Sequence, residues 1–180
     1  MKHLIETENL MLREFKDTDV ANIYKLDSNE EVHNYLGKKP IKTRKEAKEI
    51  VSFFHLQYKE RGIGRLACVE KPSGKFIGWA GLKLNLGEKE ILNGYTDFLD
   101  IGYRFLPNFW GKGYATEASL ASIEYGFKKL KYNVIYGAAD VNNIGSNKVL
   151  NKIGLGYKNE FMFKGCTCNW YELKKENYEY

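Results

Sequence analysis

Phe105-Leu106-Pro107-Asn108-Phe109-Trp110-Gly111-Lys112-Gly113-Tyr114-Ala115-Thr116-Glu117-Ala118 is the stretch on which the reading of this chain turns. It closes an apolar strand, passes through a turn bearing two glycines and opens a helix. Glycine lets the backbone come close to an anion, and the free amides of a helix's first turn donate to it while the macrodipole favours negative charge. Leu120, Ile123, Phe127 and Leu130 follow at three- and four-residue spacing and predict one apolar helix face. Lys128, Lys129 and Lys131 suit the negative pole at the far end, so the positive pole faces the glycines. From these residues alone the turn is either a phosphate cradle or a plain strand-to-helix connection.

Composition bounds what surrounds it. At 180 residues, 43% hydrophobic and 14% aromatic, the chain is the size of one domain with a sizeable core. It contains no run of about 18 apolar residues. Residues 1–8 show neither a signal-peptide core nor a cleavage site, so a cytoplasmic protein with no membrane partner is expected. Three cysteines argue against a disulfide framework. Cys166-Thr167-Cys168 lacks the companion ligands of a zinc site, because His3, His33 and His55 lie far away in sequence. The cysteines therefore read as core or strand residues, and no metal is expected. A net charge of +5 favours anionic ligands, but the lysines are scattered among glutamates without an aromatic-interleaved basic block. Nucleic acid is not an expected partner.

No repeat, low-complexity segment or linker interrupts residues 1–180, which read as one continuous domain. Strands are expected over residues 10–15, 65–69, 76–86, 98–106, 133–141, 157–163 and 169–173. Pro72-Ser73-Gly74 reads as a hairpin turn between the second and third of these. A first helix is expected from Thr18, capped by Asp17 or Thr18, with Val20, Ile23, Tyr24 and Leu26 inward. Thr43 and Glu46 have capping-box spacing for a second helix, which carries Ala47, Ile50, Val51, Phe54 and Tyr58 on one face to Gly62. A short helix over residues 146–153 ends at Gly154. This order predicts an α/β (α+β) fold: a mixed central sheet with helices packed on its faces, parallel where a helix intervenes.

Trp110-Gly111-Lys112-Gly113-Tyr114-Ala115-Thr116-Glu117-Ala118 resembles the acyl-CoA-binding motif of the GCN5-related N-acetyltransferases (GNAT), in their RimJ/RimL-like branch. Three further stretches resemble that branch in the same order. Residues 8–19 resemble its first strand and entry to the first helix, Asp100-Ile101-Gly102-Tyr103 its central strand, and residues 143–155 its second CoA-side motif. Two departures stand out. The leading Gln/Arg of the general pattern is absent, as is usual in the branch. The tyrosine with which many relatives protonate the leaving thiolate is matched here by Leu150.

The resemblance implies a single GNAT domain flanked by helices on both faces, and an acetyl-CoA-dependent N-acetyltransferase as the activity. The acceptor would be a primary amine on a protein N-terminus or a small molecule, and the enzyme a monomer or homodimer. Amides from Gly111, Lys112, Gly113, Tyr114, Ala115 and Thr116 would hold the pyrophosphate, with the Lys112 charge nearby. Tyr103, Arg104 and Phe105 would offer a strand edge to the pantetheine, and Asn143 would contact its side. Amine acetylation needs a proton acceptor and a donor to the departing thiolate.

Asp100 is the candidate base, directly or through water, with Asp97, Glu117 and Glu88 as rivals, and a structural carboxylate is an equal reading of it. Leucine has no proton to give, so Ser146 is the acid candidate. Asn143 and Ser146 also read simply as a helix cap and a first-turn residue. Lys148 and Lys152 read as solvated or as nucleotide contacts, and a ping-pong route through Cys68 or Cys166 is disfavoured for want of a histidine partner. Residues 29–40 and 87–96 are expected to line the acceptor side, where Glu30, Glu31, Glu88 and Glu90 could offset the net positive charge. A non-catalytic acyl-CoA sensor is the alternative activity.

Overall fold

The computed structural model describes residues 3–178; Met1 and Lys2, part of the amino-terminal stretch read above, lie outside the described residues. The strands are β1 (His3–Glu6), β2 (Leu10–Arg13), β3 (Leu66–Glu70), β4 (Lys75–Asn85), β5 (Phe98–Phe105), β6 (Val134–Asp140), β7 (Gly156–Phe163) and β8 (Cys166–Lys174). They form one eight-stranded sheet in the order β1-β2-β3-β4-β5-β6-β8-β7. Every neighbouring pair is antiparallel except β5 and β6, which are parallel because a helix crosses between them.

Alternate residues of β3 separate two layers of core. Ala67 faces Phe15, Ile23, Leu26, Val51 and Phe54, the layer under α1 (Val20–Asp27) and α2 (Arg44–Arg61). Leu66 and Cys68 face the opposite layer with Leu10, Leu12, Ile77, Phe105 and Ala118, which α3 (Tyr114–Lys128) covers. That second layer continues through Leu82, Leu99, Ile101, Ile123, Phe127 and Ile135 to Leu150 and Ile153 of α4 (Ile144–Lys152). The mixed sheet with helices on both faces is thus the architecture found.

Local sequence explains most boundaries. The Thr43–Glu46 capping box forms as expected, and Gly62 closes α2 in the left-handed region at φ 67°. The start of α1 differs from expectation: a 3-10 turn over Asp17–Asp19 comes first, and neither Asp17 nor Thr18 caps the helix. The Asp19 carboxylate instead accepts from Arg13 (2.7 and 2.9 Å) and from the Lys16 amide (2.8 Å), tying the helix entry back to β2. Strand β1 went unread because four residues with two polar ends carry no alternation to recognise. On α3, Leu120 is 38% exposed rather than inward. The buried row runs through Ser119, Ser122, Ile123, Gly126 and Phe127. Small residues there bring the helix close to the sheet; a Cβ on Gly126 would stand 2.6 Å from Leu82 Cδ1.

Candidate active site

β5 and β6 are fully engaged on their outer sides, β5 by eight register pairs with β4 and β6 by seven with β8. Between them a single pair, Asp100 with Tyr136, holds the sheet together. Past that pair the strands part, and the edge of β5 through Tyr103, Arg104 and Phe105 has no strand partner on this side among the described residues. Unpaired strand groups beside an opening are available to the amides of a ligand. β5 then runs straight into the glycine turn, so the mouth of the fork and the positive end of α3 lie at the same end of the sheet.

The turn is shaped for backbone donation. Gly111 and Gly113 sit at φ 72° and 86°, and a Cβ on either would meet nothing within 4 Å. Their glycine requirement is therefore one of handedness, and the space above them is open. Gly113 caps α3 without any side-chain bond, and the first intrahelical bond is Glu117 N to Gly113 O at 3.0 Å. The amides of Tyr114, Ala115 and Thr116 therefore have no carbonyl within the helix. Neighbouring side chains secure the turn from outside. The Trp110 indole donates to Phe105 O (2.7 Å), the Tyr114 hydroxyl to Glu70 (2.6 Å), and the Lys112 ammonium lies 5.1 Å from the Phe109 ring. A row of open amides leading into an unpaired strand edge fits a ligand with phosphates at one end and amides along its length.

Tyr103 and Ser146 are brought together. The Tyr103 hydroxyl lies 2.9 Å from both the carbonyl oxygen and Oγ of Ser146, spanning from β5 to α4. Burial pushes the phenol up to about 12, partly offset by the Ser146 hydrogen bond. Asn143 is the helix cap of α4, its side chain accepting from the Ser146 amide at 3.0 Å. Leu150 is buried in the core.

Asp100 points to the other face of the sheet, as an even-numbered neighbour of Tyr103 must on an alternating strand. Its two oxygens are occupied by Arg65 Nη2 at 2.6 Å and Asn85 Nδ2 at 2.9 Å. Arg65 also donates to the backbone oxygens of Asp100 (2.8 Å) and Gly81. This buried guanidinium lies across Gly81 and Gly102, which face each other on β4 and β5. A Cβ on Gly102 would stand 2.6 Å from Arg65 Nη2. Neither Arg65 nor Asn85 was foreseen; the signal that could have found them is a glycine inside each of two strands, which marks close approach.

Arg104 pairs with the buried Asp27 at 2.6 Å, and its guanidinium lies 5.1 Å from the Trp79 ring, with the Arg65 guanidinium 5.7 Å from the same ring. The rival acids have other partners or are solvated. Glu117 accepts from Thr7 (2.6 Å) and the Asn9 amide (2.8 Å); burial pushes its pKa up, but these bonds hold the carboxyl below its usual range. Asp97 accepts from the Gly87 amide at 3.0 Å, and Glu88 is exposed, as are Lys148 and Lys152. The three cysteines are free and lie in strands; burial drives the Cys68 thiol far up.

Among the described residues no group of three or more His, Cys, Asp or Glu side chains could hold a metal ion. No helix among them is long and apolar enough to cross a membrane.

The uncharacterized N-acetyltransferase YnaD of Bacillus subtilis is 30% identical over 174 residues, covering 97% of this chain and 94% of that protein. Two solved structures share the fold. A spermidine N-acetyltransferase from Vibrio cholerae, in complex with CoA and spermine, superposes with a TM-score of 0.74 at 18% identity, covering 95% of this chain and 98% of that one. A ribosomal-protein-S5-alanine acetyltransferase from Vibrio fischeri gives 0.75 at 18%, with 97% of each chain covered. Residues 9–156 match the acetyltransferase (GNAT) domain model, and the chain belongs to the GNAT acetyltransferase family.

Proposed function

We propose that this protein moves an acetyl group from acetyl-CoA directly to a primary amine in a ternary complex, as a RimJ/RimL-like enzyme of the cytoplasm. The observation that carries this reading is the fork between β5 and β6 opening onto the uncapped amino terminus of α3. The amides of Gly111 to Thr116 hold the pyrophosphate, and Lys112 adds charge at its rim. The free edge of Tyr103, Arg104 and Phe105 pairs with the pantetheine, and a β5 amide polarises the thioester oxygen. Asn143 sets the start of α4 so that Ser146 faces the fork.

Ser146 supplies the hydrogen bond to the departing sulfur. The Tyr103 phenol has one proton and two Ser146 oxygens at 2.9 Å. When it donates to Oγ, the serine's own proton is left to point at the sulfur. Asp100 takes up the amine proton through water, because Arg65 and Asn85 already hold its oxygens. That same engagement is the one observation favouring the alternative, a non-catalytic acyl-CoA sensor.

Incubation with labelled acetyl-CoA and a mixed panel of peptides and small amines separates the two. Label on an amine supports transfer, whereas CoA binding with no labelled product under any condition supports the sensor.

A further inference from the structure

The two sides of the fork are anchored differently. β5 is fixed along its whole length by β4, from Phe98 opposite Asn85 to Phe105 opposite Gly78. The other side is the end of β6 and the first turn of α4, and the single pair between β5 and β6 does not set how far these stand from β5. Core packing does not set it either. Leu150 is the buried residue of α4 and the buried Ile153 follows just past its end, whereas Ile144 is 66% exposed, Gly145 is exposed and Ser146 is half-buried. Apolar burial therefore holds the far half of the helix and not the turn that carries the serine.

That turn is held by the side chain of Asn147. Its amide nitrogen donates to Asp140 O at the end of β6 and to Asn143 O at the helix cap, each at 2.8 Å. Its amide oxygen accepts from Asn169 Nδ2 at 2.8 Å and from the Tyr171 hydroxyl at 2.7 Å, both on β8. All four bonding positions of a primary amide are used, and the partners come from three places in the fold. Asn143 is also the residue whose side chain accepts from the Ser146 amide at 3.0 Å, and its own amide donates to Asp140 O at 2.9 Å. A half-buried network with every member satisfied specifies one arrangement, and the serine is the chain neighbour of its centre.

We infer that Asn147 is a positioning residue, whose side-chain amide, tied to β6, to β8 and to the Asn143 cap, sets where Ser146 stands across the fork from β5. The inference rests on the acetyl-transfer reading and adds to it the residue that aligns Ser146. When the amine nitrogen bonds to the acetyl carbon, the carbon–sulfur bond breaks and the sulfur leaves with the electron pair. The Ser146 hydroxyl stabilises that sulfur only when Oγ already stands within hydrogen-bond distance of it, which is what a fixed first turn provides.

The test is a double-mutant cycle in kcat, with CoA affinity measured by calorimetry and the acceptor taken from the labelled panel. Asn147→Ala is expected to lower kcat about tenfold, as loss of the Ser146 hydroxyl does, with CoA affinity kept within about twofold. In a Ser146→Ala background it should lower kcat no further, because no hydroxyl remains to be placed. Tyr171→Phe removes one of the four bonds and leaves the Asn147 oxygen a donor in Asn169, so it carries the cycle where Asn147→Ala does not fold. It should lower kcat about threefold in the parent protein and not at all beside Ser146→Ala. Losses that multiply in the double variants, an equal fall in CoA affinity, or a Ser146→Ala protein with undiminished kcat each overturn the inference. Hydrogen exchange reads the same anchoring without turnover: either substitution should speed exchange of the Ser146 amide several-fold, about tenfold for Asn147→Ala, and leave that of Ile153 unchanged. Unaltered exchange at Ser146 also overturns the inference. No acetylated amine from the parent protein, with the exchange response present, overturns the acetyl-transfer reading and keeps Asn147 as the anchor of the first turn of α4.

Discussion

The two halves of the sheet are built differently. From β1 to β5 every strand is antiparallel to its neighbour, and helices cover both faces. From β6 to β7 the strands are again antiparallel, but α4 and α3 cover one face and aromatic rings the other. Each half satisfies its own backbone. Only where the two join in parallel, at Asp100 and Tyr136, does the ladder shrink to one pair. The difference teaches where a ligand can enter without cost to the core: at the seam, whose groups were never committed to either half.

The strongest way to break the first half is to remove the charge threaded through it. Arg65→Met leaves Asp100 without its cation beside a buried strand pair, and a loss of about 3 kcal/mol is expected in urea denaturation, more than any β6–β8 surface substitution. A loss below about 1 kcal/mol would mean that the ion pair is not what holds β4 and β5 at this point.

Next in size is an effect on the seam itself. Gly113→Asp places a negative charge at φ 86° over open amides, and CoA affinity should fall about a hundredfold, a larger effect than the loss of about 1 kcal/mol in stability that a side chain in that left-handed backbone brings. Unaltered affinity in a direct titration would remove the turn from the site. Ser146→Ala should leave CoA affinity nearly intact and lower kcat about tenfold, as expected of a donor that matters only when the thiolate leaves. Equal losses in affinity and turnover would instead mark Ser146 as a binding residue.

The legibility of these parts followed their range in sequence. The glycine turn, the Thr43–Glu46 box and the β3–β4 hairpin are written within a few neighbouring residues, and all three formed. Tyr103 and Ser146 lay in separate motifs 43 residues apart, and only the fold shows that the phenol, not merely the strand backbone, reaches the serine. Arg65 lies 35 residues from Asp100 in a segment read only as a strand start. Leu120 was misplaced because the inward face of α3 is made of small residues, and a hydrophobicity pattern gives serine and glycine no weight.

A pH dependence sharpens the contrast at the edge of the first half. Burial alone would raise the Asp19 carboxyl, but the Arg13 ion pair and the Lys16 amide lower it from 3.8. A carboxyl lowered on folding stabilises the protein fully above its unfolded value and loses that contribution as pH falls through the folded one. Asp19→Asn should therefore cost about 1–2 kcal/mol at neutral pH, and the gap to the parent protein should close as pH falls below the ordinary carboxylate range. A gap independent of pH in thermal melts would show that packing, not charge, explains the cost.

The smallest effect belongs to the outer edge of the second half. Met162 on β7 is 67% exposed, on a strand whose outer side has no sheet partner among the described residues. Lysine suits such an edge, since its charge discourages a further strand from adding. Met162→Lys should shift stability by less than about 0.5 kcal/mol, against the several expected for Arg65 at the centre of the sheet. A loss above about 1 kcal/mol that grows with protein concentration would place β7 against a second copy in solution. The halves would then differ in how they are covered rather than in how much, because the edge that looks open in one chain would be closed by another.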